Sequence, residues 1–145
     1  MTTEPVSGLA QIERQLRALA GLEKRKALRR AVKAAIQPAL ERARAAIPVG
    51  VDEHRTYKGR DVKPGFARRS IRVAVKVSRD KMQADAILGV RAEAFYAVQF
   101  VELGTTKTPA KPWLRPAFRS TADQQTAELA AELRKSIAEA AARTA

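Results

Sequence analysis

A chain of 145 residues without cysteine has room for one ordinary domain, and it excludes a disulfide framework and thiolate chemistry. Apolar residues make up 46% of it but only seven are aromatic, which favours helices packed through small side chains over a large β-sandwich. The net charge is +13, and residues 13–81 carry all of it, with 20 basic and 7 acidic side chains against eight of each elsewhere. Such a field suits an anionic partner (nucleic acid, an acidic protein surface or anionic lipid) or else a solvated basic face.

The first residues, MTTEPVSG, lack a basic start followed by an apolar run, so no signal peptide is expected. Leu9, Ile12, Leu16 and Leu19 follow helical spacing, with Ser7 placed to cap and Gly21 to break the helix. A second helical pattern covers Leu22 to Ile47: Leu28, Val32, Ile36, Leu40, Ala43 and Ile47 share one face. The opposite face carries Lys24, Arg25, Lys26, Arg29, Arg30, Lys33, Arg42 and Arg44. Pro38 predicts a kink near Ala34, and Pro48 and Gly50 end the helix.

Residues 48–69 are polar and rich in glycine and proline, and they read as one long loop, functional or mobile. SIRVAVKVS alternates strictly, with Ile71, Val73, Val75 and Val77 on one face of a half-buried strand. RDKM makes the turn, and QADAILGV is the antiparallel partner with Ala84, Ala86, Leu88 and Val90 inward. EAFYAVQFVELG reads as a short helix stopped at Gly104. TTKTPAKPW is extended, because a residue before proline is driven from the helical region. A last helix runs from about Pro116 to Ala142 through Phe118, Gln125, Leu129, Leu133, Ile137 and Ala140. The expected fold is a single α+β domain over residues 1–145: long N- and C-terminal helices on a small antiparallel sheet, with a short helix between. No stretch reaches the roughly 20 apolar residues that a transmembrane helix needs.

Nothing in the pattern calls for catalysis, a metal or a cofactor. The single histidine, His54, has Asp52 and Glu53 nearby but no cysteine, which does not make a zinc site. No glycine-rich phosphate loop occurs. Ser7, Ser70, Ser78, Ser120 and Ser136 have no histidine partner in a recognisable motif. The basic helix could neutralise phosphates, with Arg25, Arg29, Lys33, Arg68 and Arg69 as candidate contacts, but no nucleic-acid-recognition module accompanies it.

The most elaborate local sequence is FVELGTTKTPAKPWLRPAF, residues 100–118. Glu102 sits at a helix end, where the dipole disfavours an acid; it reads as a carboxylate pointing to solvent or, as expected here, as a charge held for an Arg or Lys of another subunit. Trp113 lies between Pro112 and Pro116 and reads as a core anchor or an interface anchor.

These residues resemble a signature of tailed-phage neck proteins, the tail-component or tail-completion family of siphophages and lambdoid-type prophages. Tyr96, Ala97, Val101, Glu102, Gly104 and Thr105 match its first half; Ala110, Pro112, Trp113, Leu114, Pro116 and Ala117 match its second, with Trp113 in place of the usual phenylalanine. Ile47-Pro48 and GFARRSI fit the upstream pattern, with Phe66 where leucine is usual. The resemblance implies a non-catalytic virion protein of α+β fold, made in the bacterial cytoplasm. It would assemble as a homo-oligomeric ring in the head–tail connector, beside head-closure, tail-terminator or tail-tube proteins and around the DNA channel. The motif residues Tyr96, Glu102, Gly104, Thr105, Pro112, Trp113 and Pro116 would then define the fold or the subunit interface. The alternative is a basic nucleic-acid-binding protein without membrane contact.

Overall fold

The computed structural model describes residues 8–50, 52–79 and 82–144. Ser7, expected as a cap, and Asp80 and Lys81 of the expected turn lie outside them. In chain order the elements are α1 (Leu9–Ala18), α2 (Gly21–Ala46), β1 (His54–Arg55), β2 (Asp61–Val62) and α3 (Phe66–Ser70). Then come β3 (Ile71–Val77), β4 (Ala84–Val90), α4 (Ala92–Leu103), α5 (Leu114–Ser120) and α6 (Ala122–Thr144). The fold is α+β, with helices at both ends and two small antiparallel two-stranded sheets, β1–β2 and β3–β4.

The chain packs as two compact units. The first takes Met1–Gln37, Val75–Ile87 and Ala122–Ala145. In it α1 lies on α6, and the core joins Ile12 and Leu16 of α1, Ala27 and Ala31 of α2, and Ala130, Leu133 and Ile137 of α6. Alanines at these contacts let helix backbones approach closely. Arg30 donates to Glu132 at 2.9 Å and Glu139 at 2.7 Å, and Arg143 to Glu23 at 2.6 Å. The numbers rise along one helix as they fall along the other, so this part of α2 runs antiparallel to α6.

The second unit takes Pro38–Ala74 and Leu88–Thr121. It buries Ala39, Leu40 and Ala43 from the end of α2 and Ile47 just after it with Val62, Ile71, Leu88, Ala94, Val98, Trp113 and Ala117. Here α3 lies against α4. The β3–β4 hairpin follows its predicted alternation: Ile71 is buried, Val73, Val75 and Val77 are half-buried, and Arg72, Ala74 and Lys76 are exposed. Ser78 N–H donates to the Gln83 carbonyl at 3.0 Å near its turn.

α2 runs through Pro38 as expected, and the missing proline N–H takes the usual donor from the Ala34 carbonyl. Two boundaries differ from expectation. The segment expected as one loop at 48–69 contains the β1–β2 hairpin, paired His54 to Val62 and Arg55 to Asp61, and the start of α3. Its strands are two residues long, too short to show alternation, and only Val62 among them is buried. The expected single C-terminal helix is divided at Thr121, whose Oγ1 donates to the Ala117 carbonyl at 2.6 Å. A threonine hydroxyl bonded back to the preceding turn competes with the helical ladder.

Candidate assembly surface

The motif residues form a closed lock around one carboxylate. α4 stops at Gly104, which adopts φ 74° and ψ 173°, and the Gly104 N–H donates to the Phe100 carbonyl at 2.8 Å. The chain then turns within a few residues. Thr105 N–H donates to the Thr108 carbonyl at 2.8 Å, while its hydroxyl accepts from Lys107 N–H at 3.3 Å and Thr108 N–H at 3.1 Å. Lys111 N–H donates to the Val101 carbonyl at 2.8 Å and brings the returning strand beside α4.

There Glu102 accepts three backbone hydrogen bonds, from Trp113 N–H at 2.7 Å, Leu114 N–H at 3.0 Å and Arg115 N–H at 3.2 Å. These are the donors that open α5, which has no side-chain cap from its own N-cap residue. The acid thus meets the favourable end of α5 rather than only the unfavourable end of α4. Glu102, expected to meet a cation of a neighbouring subunit, has these three hydrogen-bond donors in its own chain. Trp113 is 2% exposed, and its indole N–H donates to the Val98 carbonyl at 3.4 Å. Pro112 is exposed on the extended link, and Pro116 stands in the first turn of α5, where a missing N–H costs little.

Partial burial pushes the Glu102 carboxyl up, but the hydrogen bonds from Leu114, Trp113 and Arg115 and the charge of Arg115 outweigh it and hold the group below its ordinary range. A depressed pKa contributes stability that is complete above the unfolded value, about 4.3, and is lost as pH falls through the folded value. Glu102→Gln is therefore expected to destabilise the subunit by about 1 kcal/mol at neutral pH, as loss of a helix cap does. The gap to wild type should narrow below about pH 4.3. Urea melts of both chains from pH 7 to pH 3 check this; a gap that stays constant in acid would rule out the carboxylate as the cause.

A second tie lies at the other end of α4. Glu93 accepts from the Thr56 hydroxyl at 2.5 Å and from Arg60 at 2.7 Å, which docks the β1–β2 turn. Tyr57 of that turn meets Tyr96 edge to face, with ring centroids 5.6 Å apart. Tyr96 itself is exposed, as are Phe95, Phe100 and Leu103. The motif therefore has two sides. Glu102, Gly104, Thr105 and Trp113 hold the fold, and Tyr96 faces outward with apolar neighbours that the motif does not single out.

The candidate basic contacts also separate. Arg25, Arg29 and Lys33, in the first unit, are exposed at four-residue spacing along α2, with no ion pair among the described residues. Arg68 and Arg69, in the second, donate within the chain: Arg68 to the Ile47 carbonyl at 3.4 Å, Arg69 to those of Pro64 at 2.9 Å and Lys63 at 3.3 Å. No group of His, Cys, Asp or Glu among the described residues is placed to hold a metal ion.

A family model described as "Bacteriophage HK97-gp10, putative tail-component" matches residues 10–104, about two thirds of the chain. The chain belongs to this HK97-gp10-like family of phage tail components. The match takes in Tyr96, Glu102 and Gly104 and ends before the half of the motif that contains Trp113. No curated protein and no solved structure matches the chain. The HK97-gp10-like match supports a component of the phage tail. No described helix is long and apolar enough to cross a membrane.

Proposed function

We propose that this HK97-gp10-like chain is a structural neck protein, a tail-completion or tail-terminator-type component that forms a ring at the head–tail junction without catalysing a reaction. The observation that carries the reading is the use made of the motif. Its polar residues are consumed in holding α4 against α5, and its outward side is apolar, which suits assembly better than chemistry. Head-closure, tail-terminator or tail-tube proteins would be its neighbours in the virion. The direct test removes the gene and images the particles. Filled heads and finished tails that fail to join are expected; normal joined virions would overturn the role.

A second reading rests on one observation, the open stripe of Arg25, Arg29 and Lys33. This stripe would contact DNA without sequence preference, either in the channel or as the main activity of a basic binding protein. Replacing the three with glutamine should leave melting nearly unchanged, since exposed charges contribute about 0–1 kcal/mol each. DNA affinity should fall, and the slope of log K against log salt should flatten by about 3, near 0.9 for each phosphate no longer neutralised. An unchanged slope would remove the stripe from DNA binding.

A further inference from the structure

We propose that the second unit carries a phosphate-binding pocket between β2, α3 and the start of α4. The depression has a volume of about 360 Å³, and Arg60, Lys63, Arg69 and Arg91 all line it. They come from three separate stretches of chain, so the fold, not a run of like residues, gathers them. The Arg91 N–H donates to the Ser70 carbonyl at 3.1 Å and sets the entry to α4 beside the end of α3. The α2 stripe belongs to the other unit, so this is a separate site.

The acids nearby are already engaged. Asp61, which also lines the pocket, accepts from Arg55 at 2.9 and 3.3 Å. Glu93 accepts from Arg60 at 2.7 Å. Each acid answers one arginine, and Lys63, Arg69 and Arg91 are left without a carboxylate among the described residues. The side chains of Lys63 and Arg91 make no hydrogen bond there either.

Two of the four cations are held in place. Arg69 donates to the Pro64 carbonyl at 2.9 Å and the Lys63 carbonyl at 3.3 Å, which fix the guanidinium without cancelling its charge. A guanidinium has further N–H groups to offer a ligand. Gly65 makes the room: at φ 83° it turns the chain into α3, and a Cβ there would lie 3.0 Å from Arg69 Nη1. Arg60 is fixed between Glu93 and the Phe66 ring, whose centroid lies 5.3 Å from the guanidinium carbon. Donors ordered before binding lose little freedom when a ligand arrives.

Charge and donor count set the ligand. Converging like charges repel, and an anion among them relieves this. A carboxylate offers two oxygens, which a single arginine fork satisfies. A phosphate group offers more oxygens and can carry more charge, so it engages several cations at once. Free phosphate and the backbone of a nucleic acid both present that chemistry.

The test titrates the isotope-labelled full chain with inorganic phosphate and follows its amides by NMR, against sodium chloride of matched ionic strength. Saturable shifts centred on residues 60–70 and 91 are expected. Lys63→Gln and Arg91→Gln break no internal bond, so both should melt within a few degrees of wild type while weakening phosphate binding about fivefold each. A single-stranded oligonucleotide separates the sources, added to a chain that already carries Arg25→Gln, Arg29→Gln and Lys33→Gln. A further loss of affinity on adding Lys63→Gln and Arg91→Gln assigns the pocket to nucleic acid, and an unchanged affinity assigns it to free phosphate. The pocket would be overturned by the absence of saturable shifts, by shifts that chloride or acetate reproduces at the same concentration, or by phosphate binding indifferent to both substitutions.

Discussion

Trp113→Ala is expected to destabilise the subunit by about 3–5 kcal/mol, the usual cost of emptying a buried tryptophan site. The ring is almost fully enclosed, and its indole N–H has a partner in the Val98 carbonyl. The residue also stands where the backbone leaves the proline link and enters α5, and its own N–H is one of the three that Glu102 accepts. A cavity here would loosen the side that keeps α5 on α4, so the surrounding groups cannot close in without breaking the lock. For a chain of this size the melting temperature should fall by about 10 °C. Trp113→Phe separates the causes: it keeps most of the apolar volume and loses only a long hydrogen bond, so about 1 kcal/mol is expected. Thermal melts of the three chains side by side decide it. An alanine variant within about 1 kcal/mol of wild type would mean that the ring does not anchor the subunit.

Periodic elements can be read from the residues alone. The steps of three and four in α1, α2 and α6 and the strict alternation of β3 each fix an inward face, and the burial follows them except at Leu9, which is exposed in the first turn of α1. Elements held by single interactions cannot. β1 and β2 pair over two residues each, and Thr121 divides the last helix through one hydroxyl. Among the arginines, neighbours in sequence point in different directions. Arg30 binds Glu132 and Glu139, about 100 positions away, while Arg29 beside it stays open. Nothing local to α2 distinguishes the two.

Glu102 is a case where the sequence does carry the clue. An acid at the end of α4 is unfavourable for that helix, and this alone suggests a partner in another subunit. The start of α5 reads KPWLRP, without a Ser, Thr, Asp or Asn to cap it. A helix start lacking a cap and an acid at the wrong helix end, 11 to 13 residues apart, are two deficits that cancel when the chain folds back. The exposure of α4 leaves a similar trace. Its apolar residues surround the helix instead of lining one side, and a helix of that kind needs cover on every face.

Gly104→Ala is expected to be nearly as damaging as loss of the tryptophan, about 3–5 kcal/mol, from two independent causes. At φ 74° and ψ 173° the backbone is in a region that side-chain-bearing residues avoid, which costs about 1–3 kcal/mol. A Cβ built there would lie 2.7 Å from the Ala110 nitrogen and 3.1 Å from the Ala110 Cα and the Thr108 carbonyl oxygen. All three are main-chain atoms, so no flexible side chain can yield, and overpacking adds about 1–3 kcal/mol. Relief requires the 105–110 loop to swing outward. That movement pulls Lys111 from the Val101 carbonyl and draws residues 113–115 away from Glu102. The two substitutions therefore act on one lock. Glu102→Gln should cost less in the Gly104→Ala background than alone, because much of its hydrogen bonding is already broken there. Hydrogen exchange gives the local readout: the amides of Trp113, Leu114 and Arg115 should lose protection in Gly104→Ala, while those of α1 should change only with global stability. Full additivity of the two substitutions, with those three amides still protected, would show that Gly104 and Glu102 act independently.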